Sequence, residues 1–169
     1  MGYLLNPRKN LRLKRYDYSN PGYYFVTICT KNRMRLFGDV VQGQMLLNDA
    51  GTMIQTVWQT LQQLYTSIRI DEFIVMPDHI HGIIIINKPM VGGKTTAPCS
   101  SISLQNIIKN FKSYTTFKYI KHVQQYAWEP FEKKLWQRSY YEHIIRNEDR
   151  LKTIRQYIIK NPANFHNYT

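Results

Sequence analysis

The stretch Met76–Ile86, "MPDHIHGIIII", limits this chain more than any other. Four consecutive isoleucines, Ile83 to Ile86, are β-branched residues that favour a pleated, packed surface. The run is bounded by Pro77-Asp78 on one side and by Asn87-Lys88-Pro89 on the other. It is too short and too polar to cross a membrane, so it reads as a buried strand over 79–86. Two histidines, His79 and His81, open that strand. Side chains two apart on a strand share a face, so both imidazoles project together and Ile80 turns the other way. Two neutral imidazoles on one face can share a cation. The pair alone also fits two satisfied histidines in an ordinary strand.

The remaining pattern surrounds this strand with alternating elements. "GYYFVTICTK", Gly22 to Lys31, is rich in aromatic and β-branched residues and predicts a first strand. Residues 32–51 read as a loop or small hairpin. Asn48 or Asp49 then caps a helix to about Tyr65, with Met53, Ile54, Val57, Trp58, Leu61 and Leu64 at helical spacing. "SIRIDEFIVM", Ser67 to Met76, predicts a second strand, followed by the histidine strand as third. Residues 88–102 form a Gly/Pro/Ser/Thr-rich loop expected to be mobile. Ser103 caps a second long helix that buries Leu104, Ile107, Ile108 and Phe111 and carries Lys109, Lys112, Lys118 and Lys121. "LWQRSYYEHIIRN" predicts a fourth strand, and Asn147 caps a last helix that ends near Asn161, before Pro162. The order β-α-β-β-α-β plus a helix predicts an α+β, ferredoxin-like split βαβ fold. Its sheet is antiparallel, with helices on one face and the histidine strand central. One domain over 1–169 is expected.

Charge narrows the partner. Lys plus Arg number 23 against 11 Asp plus Glu, a net charge of +12, which predicts attraction to a polyanion. No basic amphipathic helix of the membrane-binding kind stands out, so nucleic acid is favoured. Aromatic residues interleaved with the cations suit stacking on unpaired bases, although most will fill the core. The arm 1–20 holds Arg8, Lys9, Arg12, Lys14 and Arg15, and it either grips a nucleic-acid stem or is simply solvated. Lys109, Lys112 and Arg138 are further candidate phosphate contacts. The N-terminus lacks a signal-peptide pattern, and Cys29 and Cys99 are only two and far apart. A reducing, cytoplasmic location is therefore expected.

In the last helix, Leu151, Ile154 and Ile158 form the apolar stripe, and Tyr157 and Asn161 lie one turn apart beside it. If that helix docks against the third strand, Asn161 can offer its amide oxygen to a cation on the histidines, with Tyr157 nearby. Spacing alone equally allows a packed tyrosine and a capping asparagine.

Four motifs in one order carry a resemblance: "PGYYFVTICTKNR", "FIVMPDHIHGIIII", "LWQRSYYEHIIRNEDRL" and "YIIKNPANF". From about Pro21 to Phe165 the sequence resembles the HUH single-tyrosine transposases, and most of all their REP-associated relatives. The resemblance implies that His79 and His81 are metal ligands with Asn161 as the third, and that Tyr157 is the nucleophile. It implies a Mg²⁺ or Mn²⁺ cofactor, and a single-stranded or hairpin DNA substrate cut through a 5′-phosphotyrosine intermediate that leaves a free 3′-OH. Such a bond conserves the energy of the broken phosphodiester, so rejoining needs no ATP. Both monomer and homodimer are compatible with the family. Tyr140 and Tyr141 are rival nucleophiles that lack a partner four residues on. Glu142 and His143 are adjacent, so on a strand they face opposite ways. Two other readings stand beside the enzyme: a hairpin-binding protein without chemistry, and a zinc hydrolase, which needs a carboxylate or cysteine ligand near the histidines.

Overall fold

The computed structural model describes residue 17, residues 19–87 and residues 102–165. Arg8, Lys9, Arg12, Lys14 and Arg15, and all of the expected mobile loop except Ile102, lie outside the described residues. The chain forms β1 (Gly22–Cys29), a hairpin of β2 (Gly38–Val41) and β3 (Gln44–Leu47), α1 (Asp49–Leu64), β4 (Ile68–Met76) and β5 (His79–Ile86). These are followed by α2 (Leu104–Tyr126), β6 (Tyr141–Ile145) and α3 (Glu148–Ile159). Each helix starts where the sequence offers a cap. The Asn48 side chain accepts from the Gly51 N–H, Ser103 from Asn106, and Asn147 from Arg150, each satisfying a first-turn donor.

The main sheet has the order β4-β5-β1-β6, and every adjacent pair is antiparallel. With the β2–β3 hairpin set aside, this is the split βαβ arrangement: α1 crosses from β1 to β4, and β5 fills the gap between them. The fold is the α+β, ferredoxin-like one expected, and the histidine strand is central.

The two faces are covered differently. Ile80, Ile84 and Ile86 of β5, with Tyr24, Val26 and Ile28 of β1, pack beneath Trp58 and Leu61 of α1 and Ile107, Ile108 and Phe111 of α2. Gly82 makes this packing close. A Cβ there would stand 2.5 Å from Cζ2 of Trp58, so the bare backbone lets the indole lie on the strand. On the opposite face, Ile83 joins Phe25 and Ile145 beneath Leu151, Ile154 and Ile158 of α3. Helices therefore cover both faces. The expectation of helices on one face holds for α1 and α2 only. With α3 on the other side, all eight residues of β5 are buried, and this is why its isoleucines run without alternation.

The fourth strand is shorter than expected. The sequence suggests 135–147, whereas β6 spans Tyr141–Ile145. Leu135 and Trp136 are buried, but Trp136 makes only an isolated bridge with Thr30. The carbonyls of Gln137 and Ser139 instead accept from the Lys112 ammonium at 2.9 and 3.3 Å. Around that bridge the Gln137 N–H donates to the Cys29 carbonyl and the Lys31 N–H to that of Leu135, at 2.9 and 2.8 Å, so pairing at this end stops at one bridge.

Candidate active site

β5 and β1 build the floor of the site. Their register sets Thr27 opposite His81 and Cys29 opposite His79. Both histidines are buried, on the face that α3 covers. Each ring is held through Nδ1. The Thr27 hydroxyl lies 2.8 Å from His81 Nδ1, and the Asp78 carboxylate takes His79 Nδ1 in a short contact. Asp78 is itself paired with Arg33, whose Nε is 2.9 Å from Oδ2. Where Nδ1–H of each ring is donated to its oxygen partner, Nε2 is the nitrogen left to face the site. The two Nε2 atoms face each other 3.1 Å apart. At that distance the two nitrogens share either a proton or another electrophile. Burial, the neighbouring His79 and the Arg33 charge hold His81 well below the usual imidazole pKa. It is therefore a neutral donor at neutral pH.

These donors fit a divalent cation. Ligand bonds of about 2.1 Å meeting at right angles set two nitrogens about 3.0 Å apart, as in an octahedral shell. Among the described residues, no group of three or more His, Cys, Asp or Glu could hold a metal ion. Oxygen from an amide, water or phosphate would have to complete such a shell, which suits Mg²⁺ or Mn²⁺ better than a closed zinc site. The carboxylate or cysteine ligand that a zinc hydrolase requires is not supplied by the described residues.

α3 brings the tyrosine to this floor. The Tyr157 hydroxyl stands 3.4 Å from His81 Nε2, and its ring meets the rings of His81 and Phe25 edge-on, at 5.2 and 6.1 Å between centroids. Packing fixes one edge of the ring, while about half of the residue (49 %) stays open to solvent. Two residues earlier, Arg155 donates to both carboxylate oxygens of Asp71 on β4, each at 2.7 Å. That forked pair pins the helix across the sheet and holds the Asp71 carboxyl below its usual range.

Asn161 lies in the turn after α3, half-buried, with its backbone N–H on the Ile158 carbonyl at 3.2 Å. Among the described residues no hydrogen bond joins its side chain to either histidine. The chain then runs on past the pair, bringing the Phe165 ring 6.4 Å from His79. The structure thus brings His79, His81 and Tyr157 together and leaves Asn161 in the turn beyond the helix that carries Tyr157. Of the rival tyrosines, Tyr140 precedes β6, near Lys112, whereas Tyr141 lies on the α3 side of the sheet, opposite Thr27, with its ring edge-on to Phe25 at 6.2 Å. Glu142 is buried on the α1–α2 side, opposite Val26, and His143 lies on the α3 side, opposite Phe25. Lys109 and Arg138 are exposed, whereas the Lys112 ammonium already serves the carbonyls of Gln137 and Ser139.

Asp78, Thr27 and Arg33 orient the pair, yet the sequence marks none of them. Asp78 reads as a turn residue after proline, Thr27 as an ordinary strand residue, and Arg33 as loop charge. Thr27 and Arg33 acquire their roles only when β1 pairs with β5. Asp78, adjacent to His79, was the one within reach of local reading.

Comparison with known proteins gives the family and the fold. A family model described as "Transposase IS200 like" matches residues 19–161. An uncharacterized protein of Haemophilus influenzae is 37% identical over 169 residues, covering 94% of this chain and 89% of its own. Among solved structures, a REP-associated tyrosine transposase bound to a REP hairpin superposes with a TM-score of 0.55 at 20% identity, covering 94% of this chain and 75% of that one. A transposase-like protein of Deinococcus radiodurans superposes at 0.49 with 19% identity, over 89% of this chain and 96% of that one. The chain belongs to the IS200-like transposase family.

Proposed function

We propose that this transposase is a divalent-metal-dependent nickase and strand transferase that acts on hairpin-bearing single-stranded DNA. The observation that carries the reading is the approach of the Tyr157 hydroxyl to His81 Nε2, 3.4 Å away, beside a second imidazole whose Nε2 faces the first. His79 and His81 hold the cation, with the Asn161 amide oxygen as third donor. When bound, Mg²⁺ or Mn²⁺ polarises the scissile phosphate and offsets the charge that develops on it.

The protein's own residues do the rest. Phe25 and His81 hold the phenol ring with its oxygen beside the histidine pair, where a phosphate bound by the cation would meet it. The Tyr157 oxygen forms the new bond to phosphorus, and the bond from phosphorus to the 3′ oxygen breaks. The 5′ end stays on the protein as a phosphotyrosine, and a free 3′-OH leaves. The phenolic proton passes to water, which reaches the half-exposed hydroxyl, and water supplies the proton that the departing 3′ oxygen takes up. Attack by another 3′-OH reverses these steps and joins new ends. Lys109 and Arg138, with Arg8, Lys9, Arg12, Lys14 and Arg15 of the arm, are the proposed phosphate contacts. The hairpin enters this reading from the solved relative described as bound to one.

The test is a labelled hairpin incubated with protein and Mn²⁺, then run on a denaturing gel. The parent is expected to form a covalent adduct that chelation abolishes. His79→Ala should lose adduct and Mn²⁺ binding together. Hairpin binding without any adduct, in any divalent metal, would return the protein to the class of DNA-binding proteins without chemistry.

A further inference from the structure

α2 runs for 23 residues without one carboxylate. At about 1.5 Å per residue it spans about 34 Å of surface. Its inner stripe is the core set already described, but its outer stripe is unusual. Phe117 is 66 % exposed and Tyr114 48 %. Tyr114 and Phe117 are three apart, and Lys118 and Lys121 follow each of them by four, so rings and ammonium groups alternate along one helix face. The Lys118 Nζ lies 5.4 Å from the centre of the Tyr114 ring, which places a cation against one ring face. Lys109 extends the exposed charge toward the helix start.

We propose that this outer face of α2 binds a separate run of single-stranded DNA, with Tyr114 and Phe117 stacking on unpaired bases and Lys118 and Lys121 tracking the phosphates. The proposal rests on DNA being the partner, and it adds a second contact surface. α2 packs on the face of the sheet opposite α3 and Tyr157, so a strand held here is not the one in the cleavage site. Charge selects the occupant. A second copy docked through the same face would bring Lys118 and Lys121 against their own counterparts, with no carboxylate on either helix to pair them. A duplex shows phosphates and groove edges and would leave exposed rings with nothing to stack on. Unpaired bases next to a phosphate backbone satisfy both the rings and the charges.

The experiment compares a hairpin with the same hairpin carrying an oligothymidine tail, binding full-length protein without divalent metal. The parent should bind the tailed DNA more tightly. In Tyr114→Ala/Phe117→Ala that gain should fall about tenfold or more, while blunt-hairpin binding and Mn²⁺-dependent adduct formation stay as in the parent. Lys118→Gln/Lys121→Gln should lower the salt slope for the tailed DNA by about 1.4. Iodouracil in the tail should crosslink within α2. The proposal is overturned if the double alanine variant keeps the full gain, if it weakens the blunt hairpin equally, or if its main effect is to break a dimer. Binding of anionic vesicles through this face, with no tail-dependent gain, overturns it as well. If no DNA binds at all, the DNA reading of the whole protein fails. If the hairpin binds and forms its adduct but the tail adds nothing, only the α2 surface is refuted.

Discussion

Replacing Asp78 tests whether the histidine pair is held ready for a cation. Asp78 is buried, 6 % exposed, and joins two partners: His79 through Nδ1 and Arg33 through Nε at 2.9 Å. Asp78→Ala removes the carboxylate that holds His79 through Nδ1. The ring can then turn, or move its proton to Nε2, and either change takes a lone pair away from the site. Losing such an outer partner of a metal-binding imidazole typically lowers affinity about 10- to 100-fold. The charge-assisted bond itself is worth about 1.5–3 kcal/mol, which agrees with that range. Asp78→Asn should fall between. Its amide can still accept from His79, but its NH₂ would then face the Arg33 guanidinium. Calorimetric titration of Mn²⁺ into metal-free protein reads the affinity directly, and the Mn²⁺ resonance spectrum reports whether the ligand set has changed. If Asp78→Ala binds Mn²⁺ as tightly as the parent, His79 is not oriented through Asp78 and the lone-pair argument fails.

The other expectations concern the frame around the site. Gly82→Ala forces a methyl to within 2.5 Å of the Trp58 ring, so urea unfolding should show about 1–3 kcal/mol of lost stability. Asp71→Asn breaks the fork to Arg155, and hydrogen exchange should show α3 opening more readily, with a cost of about 1–2 kcal/mol and less adduct at Tyr157. Because burial lowers His81, the unfolded chain takes up its proton first as pH falls below about 6.5, and stability drops through that window. His143, lowered by burial and by Arg150 and Arg146, adds to the same slope. Melting curves from pH 7.5 to about 5 should show the decline. His81→Gln should flatten part of it, and an unchanged slope would refute the assignment.

The elements with local signals were legible in the sequence. The β5 strand runs from His79 to Ile86 as its composition predicts, and Asn48, Ser103 and Asn147 cap their helices because a cap is a short-range event. What depends on pairing was not legible. The sequence around Trp136 is apolar enough for a strand, but it forms a single bridge with Thr30, and Lys112, 25 residues from Gln137, takes that residue's carbonyl. The burial of β5 on both faces follows from where α3 docks, and helical spacing says which face of α3 is apolar without saying which side of the sheet it meets. The histidines could be placed on one face from their spacing alone. That Thr27, Asp78 and Arg33 set the directions of their lone pairs depends on register and on a loop folding back.

The most direct test of the central claim is to identify the residue that becomes joined to DNA. The covalent product formed on a hairpin with Mn²⁺ is digested with protease and nuclease, and the nucleotide-bearing peptide is sequenced by mass spectrometry. The account predicts the modification on Tyr157, within the peptide that spans the end of α3, and its absence from Tyr157→Phe, which keeps the ring packed against Phe25 and His81 and still binds DNA and Mn²⁺. A nucleotide on Tyr140 or Tyr141, or an adduct that persists in Tyr157→Phe, would contradict it.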